Sequence, residues 1–169
     1  MKDAMMEAWL MYAQPGKEHS RLAETVGTWT QENKLWQSPG AEPQVIPTVA
    51  EMKTIFGGRY LLQEMKGPMP GGRVSLRGWG SSATTTSRTS TSLLGSTIQR
   101  RHSCSEGASD EFGTITYYSE IPDPMTGGMA QVKSVLSKGD ENTQAFKMYR
   151  KQPDDSWFLI MEIVSTRKK

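Results

Sequence analysis

The sequence has few of the residues that build disulfides and metal sites. Its 169 residues include one cysteine, Cys104, and two histidines, His19 and His102. A lone cysteine excludes an internal disulfide, and these three side chains do not make a zinc-type ligand set. We therefore expect no metal site.

Long apolar runs and cofactor motifs are missing as well. No stretch approaches the roughly 18 apolar residues of a membrane-spanning helix, and the start of the chain lacks the apolar core of a signal peptide. The phosphate-binding loop, the His-Glu-x-x-His pair and the Gly-x-Ser-x-Gly elbow do not occur, and Gly78–Ala83 fits a dinucleotide fingerprint only in its letters. These absences predict a cytoplasmic protein with no cofactor and no membrane partner.

Positive charge is concentrated in one segment. Residues 73–106 contain five arginines, one glutamate and neither lysine nor aspartate, a local charge of +4, whereas the whole chain carries +2. The same segment has one aromatic residue, Trp79. Because single-stranded nucleic acids are bound by aromatic side chains that alternate with basic ones, we expect no nucleic-acid partner.

Apolar residues follow a helical period only near the N-terminus. Met6, Trp9, Leu10 and Ala13 share one helix face and predict a short amphipathic helix, and a second helical segment is predicted after Pro15-Gly16, ending at Val26. From there the period changes to two, for example in residues 49–56, 59–66, 129–137 and 157–166. Strands of about eight residues joined by short turns predict an up-and-down antiparallel sheet that curls into a barrel.

Several short motifs resemble a known family. Gly16–His19, Val26–Trp29, Ile55–Leu61, Asp123–Gly127 and Met161–Ile163 stand in the order and spacing of the bacterial family called domain of unknown function 1579. The resemblance covers residues 1–70 and 107–169 and brings no established activity. Gly27-Thr28-Trp29 also looks like the Gly-x-Trp that opens lipocalin-type barrels, in which the tryptophan closes the barrel floor.

The predicted fold is mainly β, an antiparallel up-and-down, lipocalin-like β-barrel with a short N-terminal helical segment. It forms a single domain over residues 1–169, with helices in residues 1–26 and the barrel in residues 27–169.

Residues 73–106 depart from the family. The family has a phrase like Gly-Tyr-Asp-Asn and, nine residues further on, one like Trp-Ile-Asp-Asn, where this chain has Ser81–Thr86 and Leu94–Ile98. When each codon is re-read from the third base of its predecessor, Gly-Tyr-Asn-Asn and Trp-Leu-Asp-Asn are permitted at the same spacing. One hypothesis is therefore a frameshift over this segment, which predicts that two or three central strands are missing. The alternative is a genuine flexible loop rich in serine and threonine.

The candidate site residues lie outside that segment. Glu64 and Glu162 interrupt apolar alternation and Arg59 follows a turn, so a carboxylate paired with an arginine inside the barrel is one interpretation. Two glutamates that face solvent are the other. No residue is assigned a catalytic role, and the predicted ligand-binding set is Trp29, Arg59, Tyr60, Glu64, Tyr117, Met148, Trp157 and Glu162.

Three functions fit these observations. The first is a barrel that binds a small hydrophobic ligand, with Arg59 or Glu64 orienting a polar end. The second is a small enzyme that uses a pocket carboxylate as a general base. The third is an interaction protein with a filled barrel, whose N-terminal helix docks a partner. The first, as a barrel with weak enzymatic activity or none, is the leading hypothesis, and a homo-oligomer stays open.

Overall fold

The computed structural model describes residues 2–12, 14, 17–68, 75–84, 90–96, 102–109, 113–123 and 126–169. Its helices are α1 (Lys2–Tyr12) and α2 (Lys17–Glu24). The strands are β1 (Gly27–Leu35), β2 (Gln44–Ile55), β3 (Tyr60–Pro68), β4 (Ser75–Thr84), β5 (Ser90–Ser96), β6 (His102–Ser109), β7 (Ile115–Pro122), β8 (Met129–Lys138), β9 (Thr143–Lys151) and β10 (Trp157–Arg167). The predicted mainly β fold with a short N-terminal helical segment is confirmed, whereas the predicted break at Pro15-Gly16 lies outside the described residues.

The strands form a closed barrel with an up-and-down order. Each strand pairs antiparallel with its neighbours in the sequence, and β1 also pairs with β10 from Trp29 opposite Arg167 to Leu35 opposite Met161. The predicted antiparallel up-and-down barrel is therefore confirmed. Every strand pairs with a neighbour on both sides, but the ladder between β6 and β7 is short and runs only from Gly107 opposite Tyr117 to Ser109 opposite Ile115.

Strands β4 to β6 occupy the anomalous segment. The seven strands whose side chains are described, β7 to β10 and β1 to β3, form one curved sheet, and β4 to β6 close it. The prediction that central strands are missing is therefore wrong. A ladder needs backbone N–H and C=O groups, and none of these three strands contains a proline that would remove a donor.

Burial alternates strictly along β2 and identifies the inner face. Ile46, Thr48, Ala50 and Met52 are buried, while the residues between them are exposed. Residues that lie directly opposite each other on antiparallel strands point to the same face. Starting from these four residues, the pairing of each strand with the next shows which side chains point into the barrel.

One end of the barrel is closed by a tryptophan. Trp29 is 2% exposed, its indole Nε1 donates to the Thr25 carbonyl oxygen at 2.9 Å, and the Arg167 guanidinium lies 4.4 Å from its ring centroid. Arg167 also donates to the carbonyl oxygens of Val26 and Glu24, both at 2.6 Å. We call this the closed end, and the other end, where β1, β7 and β9 finish, the far end.

The helices differ in how they pack. Helix α2 contacts β2, β3 and β4, and its His19 is buried. Helix α1 forms as predicted, but Met6, Trp9 and Leu10 on its apolar face are exposed. The amphipathic pattern therefore predicts the helix correctly without giving it a place in the core.

Replacing Trp29 with alanine is expected to lower the free energy of unfolding by about 3–5 kcal/mol, because a large buried ring is removed. The matched control is Phe56→Ala, since Phe56 is 73% exposed in the turn after β2, and its loss is expected to stay near 0.5 kcal/mol. Urea unfolding of both variants measures the difference. Equal losses would show that Trp29 does not hold the closed end.

Candidate functional site: the barrel interior

A row of polar side chains crosses the interior beside the closed end. Gln31 Nε2 donates to Ser165 Oγ at 3.0 Å, and Thr48 Oγ1 donates to Gln31 Oε1 at 3.2 Å. Asn33 Nδ2 donates to Thr48 Oγ1 and to the Ile46 carbonyl oxygen, both at 2.9 Å. These groups satisfy one another across β10, β1 and β2, so they stiffen this wall of the barrel.

The neighbouring wall, on β8 and β9, is apolar and less completely covered. Leu136 on β8 and Phe146 on β9 are opposite each other, and Ser134 is opposite Met148. Ser134 is buried and faces inward, so Phe146, Met148 and Leu136 face inward too. These three side chains are only half-buried although the barrel is closed around them. These three inward side chains therefore retain some exposed apolar surface.

Tyr117 stands in this same layer. It lies opposite Ser134 on β7, is 1% exposed, and its hydroxyl has no hydrogen-bond partner among the described residues. Burial raises the pKa of Tyr117 to about 12, so the phenol is neutral and acts as a hydrogen-bond donor or acceptor. An unpaired buried hydroxyl costs about 1–3 kcal/mol, and a ligand group that accepts or donates a hydrogen bond there would recover it.

An arginine faces inward at the far end. Arg150 on β9 lies opposite Val132, which is 1% exposed, so both side chains point into the barrel. The Arg150 Nη1 is 3.6 Å from Asp123 Oδ2. A groove of about 380 Å³ opens here, and its lining includes Asp123, Thr126, Ala130, Arg150 and Gln152.

Both candidate glutamates lie on the outer face. Glu64 forms an ion pair with Lys53 at 3.2 Å, and Glu162 forms one with Lys147 at 3.3 Å and lies 3.9 Å from Lys34. The register therefore supports the second interpretation, in which both glutamates face solvent. Neither carboxylate can serve as a general base inside the barrel.

Arg59 and Tyr60 also lie away from the interior. Arg59 is in the turn between β2 and β3 at the closed end, where its Nη1 donates to the Phe56 carbonyl oxygen at 3.1 Å. Tyr60 lies opposite Ile55, and its ring contacts the exposed Phe56 ring at a centroid distance of 5.6 Å. Neither residue orients a ligand end inside the barrel.

Trp157 points outward because of a bulge in β10. Leu159 is opposite Tyr149, but Met161 is opposite Met148, so one extra residue stands between them. Such an insertion moves the residues before it to the other face. Trp157 therefore packs outside, near the exposed Tyr118 ring and beneath the Lys133 ammonium, which is 5.1 Å from its ring centroid.

The structure thus brings three of the eight predicted residues into the interior, namely Trp29, Tyr117 and Met148. Sequence reasoning missed the inward Gln31 and Arg150. Gln31 follows Trp29 by two residues, and Arg150 follows Met148 by two, so strict alternation contained the signal for both. Both residues were missed because they are polar, whereas inward positions are expected to be apolar.

Metal ligation and membrane crossing find no support in the described part of the chain. No group of three or more His, Cys, Asp or Glu side chains comes together among the described residues. The side chains of His102 and Cys104 lie outside the description. Neither described helix has the length and apolar character needed to cross a bilayer.

The chain is similar to known proteins in its family motifs and in its fold. The model of the family described as protein of unknown function (DUF1579) matches residues 14–167. An S-type phycobiliprotein lyase from Guillardia theta is similar in structure, with a TM-score of 0.65 and 11% identity over 90% of this chain and 93% of that one. A redesigned β-barrel has a TM-score of 0.46 and 15% identity over 88% and 95%. No curated protein matches. The likeness to the lyase shows the fold alone and supports the predicted lipocalin-like architecture.

The raised pKa of Tyr117 predicts how stability depends on alkaline pH. Between pH 10 and about 12 the native phenol keeps a proton that the unfolded chain releases, so the free energy of unfolding falls as pH rises. The full loss is about 2–3 kcal/mol. Urea unfolding at several pH values from 9 to 11.5 measures it, and Tyr117→Phe is the control. If both proteins lose stability equally over that range, Tyr117 is not the group responsible.

Proposed function

The chain belongs to the family of proteins of unknown function DUF1579, and from that premise we propose that it binds a small, largely apolar ligand inside its barrel. The observation that carries this proposal is the half-buried apolar wall formed by Leu136, Phe146 and Met148. In a barrel filled by its own side chains, inward apolar residues are buried. A ligand bound in the interior would cover them.

The two walls of the interior suit an amphipathic ligand. The apolar wall would contact its hydrocarbon part, with a gain of about 25 cal/mol for each Å² of apolar surface removed from water. The Tyr117 hydroxyl stands in that wall and offers a hydrogen bond to a polar atom of the ligand. The polar row on β1 and β2 is already satisfied within the protein, so it forms a rigid boundary for the site.

We also propose the setting that the sequence predicts, a cytoplasmic protein of bacteria with a single domain. The lone cysteine supports a reducing compartment.

Filling the interior tests the function. Met148→Trp is expected to weaken binding of the neutral fluorescent probe N-phenyl-1-naphthylamine about tenfold, because the indole takes the space of the ligand. The matched control is Val135→Trp, since Val135 lies opposite Lys147 on the outer face of β8, and its affinity is expected to change less than twofold. Fluorescence titration measures both.

Two results contradict the proposal. One is a wild-type protein that shows no saturable binding of the probe. The other is an equal loss of affinity in the inner and outer variants, because the probe would then bind elsewhere on the protein.

We further propose that residues 73–106 are translated out of frame from about Arg73 to about Glu106. The codon re-reading that yields both family phrases at the correct spacing supports this, while strands β4 to β6 show that the present residues still permit a ladder. Sequencing the encoding DNA is the test, and the expected result is a single-base change near each end of the segment. If no such change restores the family phrases, the segment is native.

A further inference from the structure

We propose that the ligand of the barrel carries a carboxylate group and that Arg150 at the far end binds it. This inference rests on the proposed function and adds the chemical class of the ligand and the residue that selects it.

The position of Arg150 is set by the register of β8 and β9. Val132 and Arg150 are opposite each other, one step further toward the far end than the inward pair Ser134 and Met148. Because alternate residues of a strand share a face and lie roughly 7 Å apart, the Arg150 side chain begins just beyond the apolar wall. A molecule that covers Met148 therefore has one end beside the guanidinium.

The guanidinium has unused hydrogen-bond capacity. It carries five N–H donors, and among the described residues its charged contact is the one to Asp123, at 3.6 Å, which is longer than a hydrogen bond. Its side chain is 35% exposed, whereas that of Asp123 is 10% exposed. Because its side chain is partly exposed, the guanidinium can donate the unused hydrogen bonds to an anionic ligand.

The geometry favours a planar anion. Asp123 approaches Arg150 at Nη1, which leaves the edge formed by Nε and Nη2 without a partner among the described residues. A carboxylate binds such an edge with two parallel hydrogen bonds, and these charge-assisted bonds are about twice as strong as neutral ones. The adjoining open groove of about 380 Å³, whose lining also includes Lys151 and Asp155 at the barrel rim, gives the head group room.

Three ten-carbon amphiphiles test this inference by displacement of N-phenyl-1-naphthylamine: decanoate, decanol and decyltrimethylammonium. The wild-type protein is expected to bind decanoate more tightly than the other two. In Arg150→Gln the affinity for decanoate is expected to fall about tenfold or more, while the affinities for decanol and for the probe change less than twofold. Lys147→Gln is the matched control, since it removes a positive charge from the outer face of the same strand, and we expect it to leave the decanoate affinity unchanged.

The outcomes separate this inference from the proposed function. If the probe binds but Arg150→Gln leaves the decanoate affinity unchanged, or Lys147→Gln lowers it equally, the inference is wrong and the ligand site stands. If the probe does not bind the wild-type protein, the proposed function itself fails. If Arg150→Gln does not fold, Arg150→Lys replaces it. It keeps the charge beside Asp123 without the planar fork, so a several-fold loss for decanoate alone supports the inference and no loss overturns it.

Discussion

The pairing of β1 with β10 is the constraint on which the rest of the structure depends. It joins the first and last strands from Trp29 opposite Arg167 to Leu35 opposite Met161, and it turns a meander into a ring. A closed ring has one inside, and opposite residues of antiparallel strands share a face. The polar row, the apolar wall and the inward arginine therefore line the same interior.

Much of this architecture could be predicted from side-chain alternation. The period of two along β2 and β8 indicates strands with one inward face, and Gly27-Thr28-Trp29 indicates where the barrel closes. The outward position of Glu64 also follows from its strand, because Leu61 is buried and Glu64 is three residues away. Glu64 became a candidate because it interrupts an apolar alternation, but the interruption lies on the outer face of the strand.

Other parts of the site could not be predicted because they depend on the partner strand. The extra residue between Leu159 and Met161 reverses the face of Trp157, and nothing in the composition of β10 marks it. The inward position of Arg150 requires its pairing with Val132, since an arginine near a strand end is ordinarily solvated. Pairing register is a non-local property, and a single sequence specifies it only weakly.

The junction of β1 and β10 also governs how the molecule is assembled during translation. The bond from Thr30 Oγ1 to the Thr166 carbonyl oxygen spans 136 positions of the chain. Contacts of such range make folding slow, because a long loop must be ordered before they form. Until β10 leaves the ribosome, the hydrogen-bonding groups of β1 on that side have no native partner and are open to other chains. A nascent chain halted before Trp157 would thus expose β1 and β9 as unpaired edge strands, which chaperones and proteases can bind.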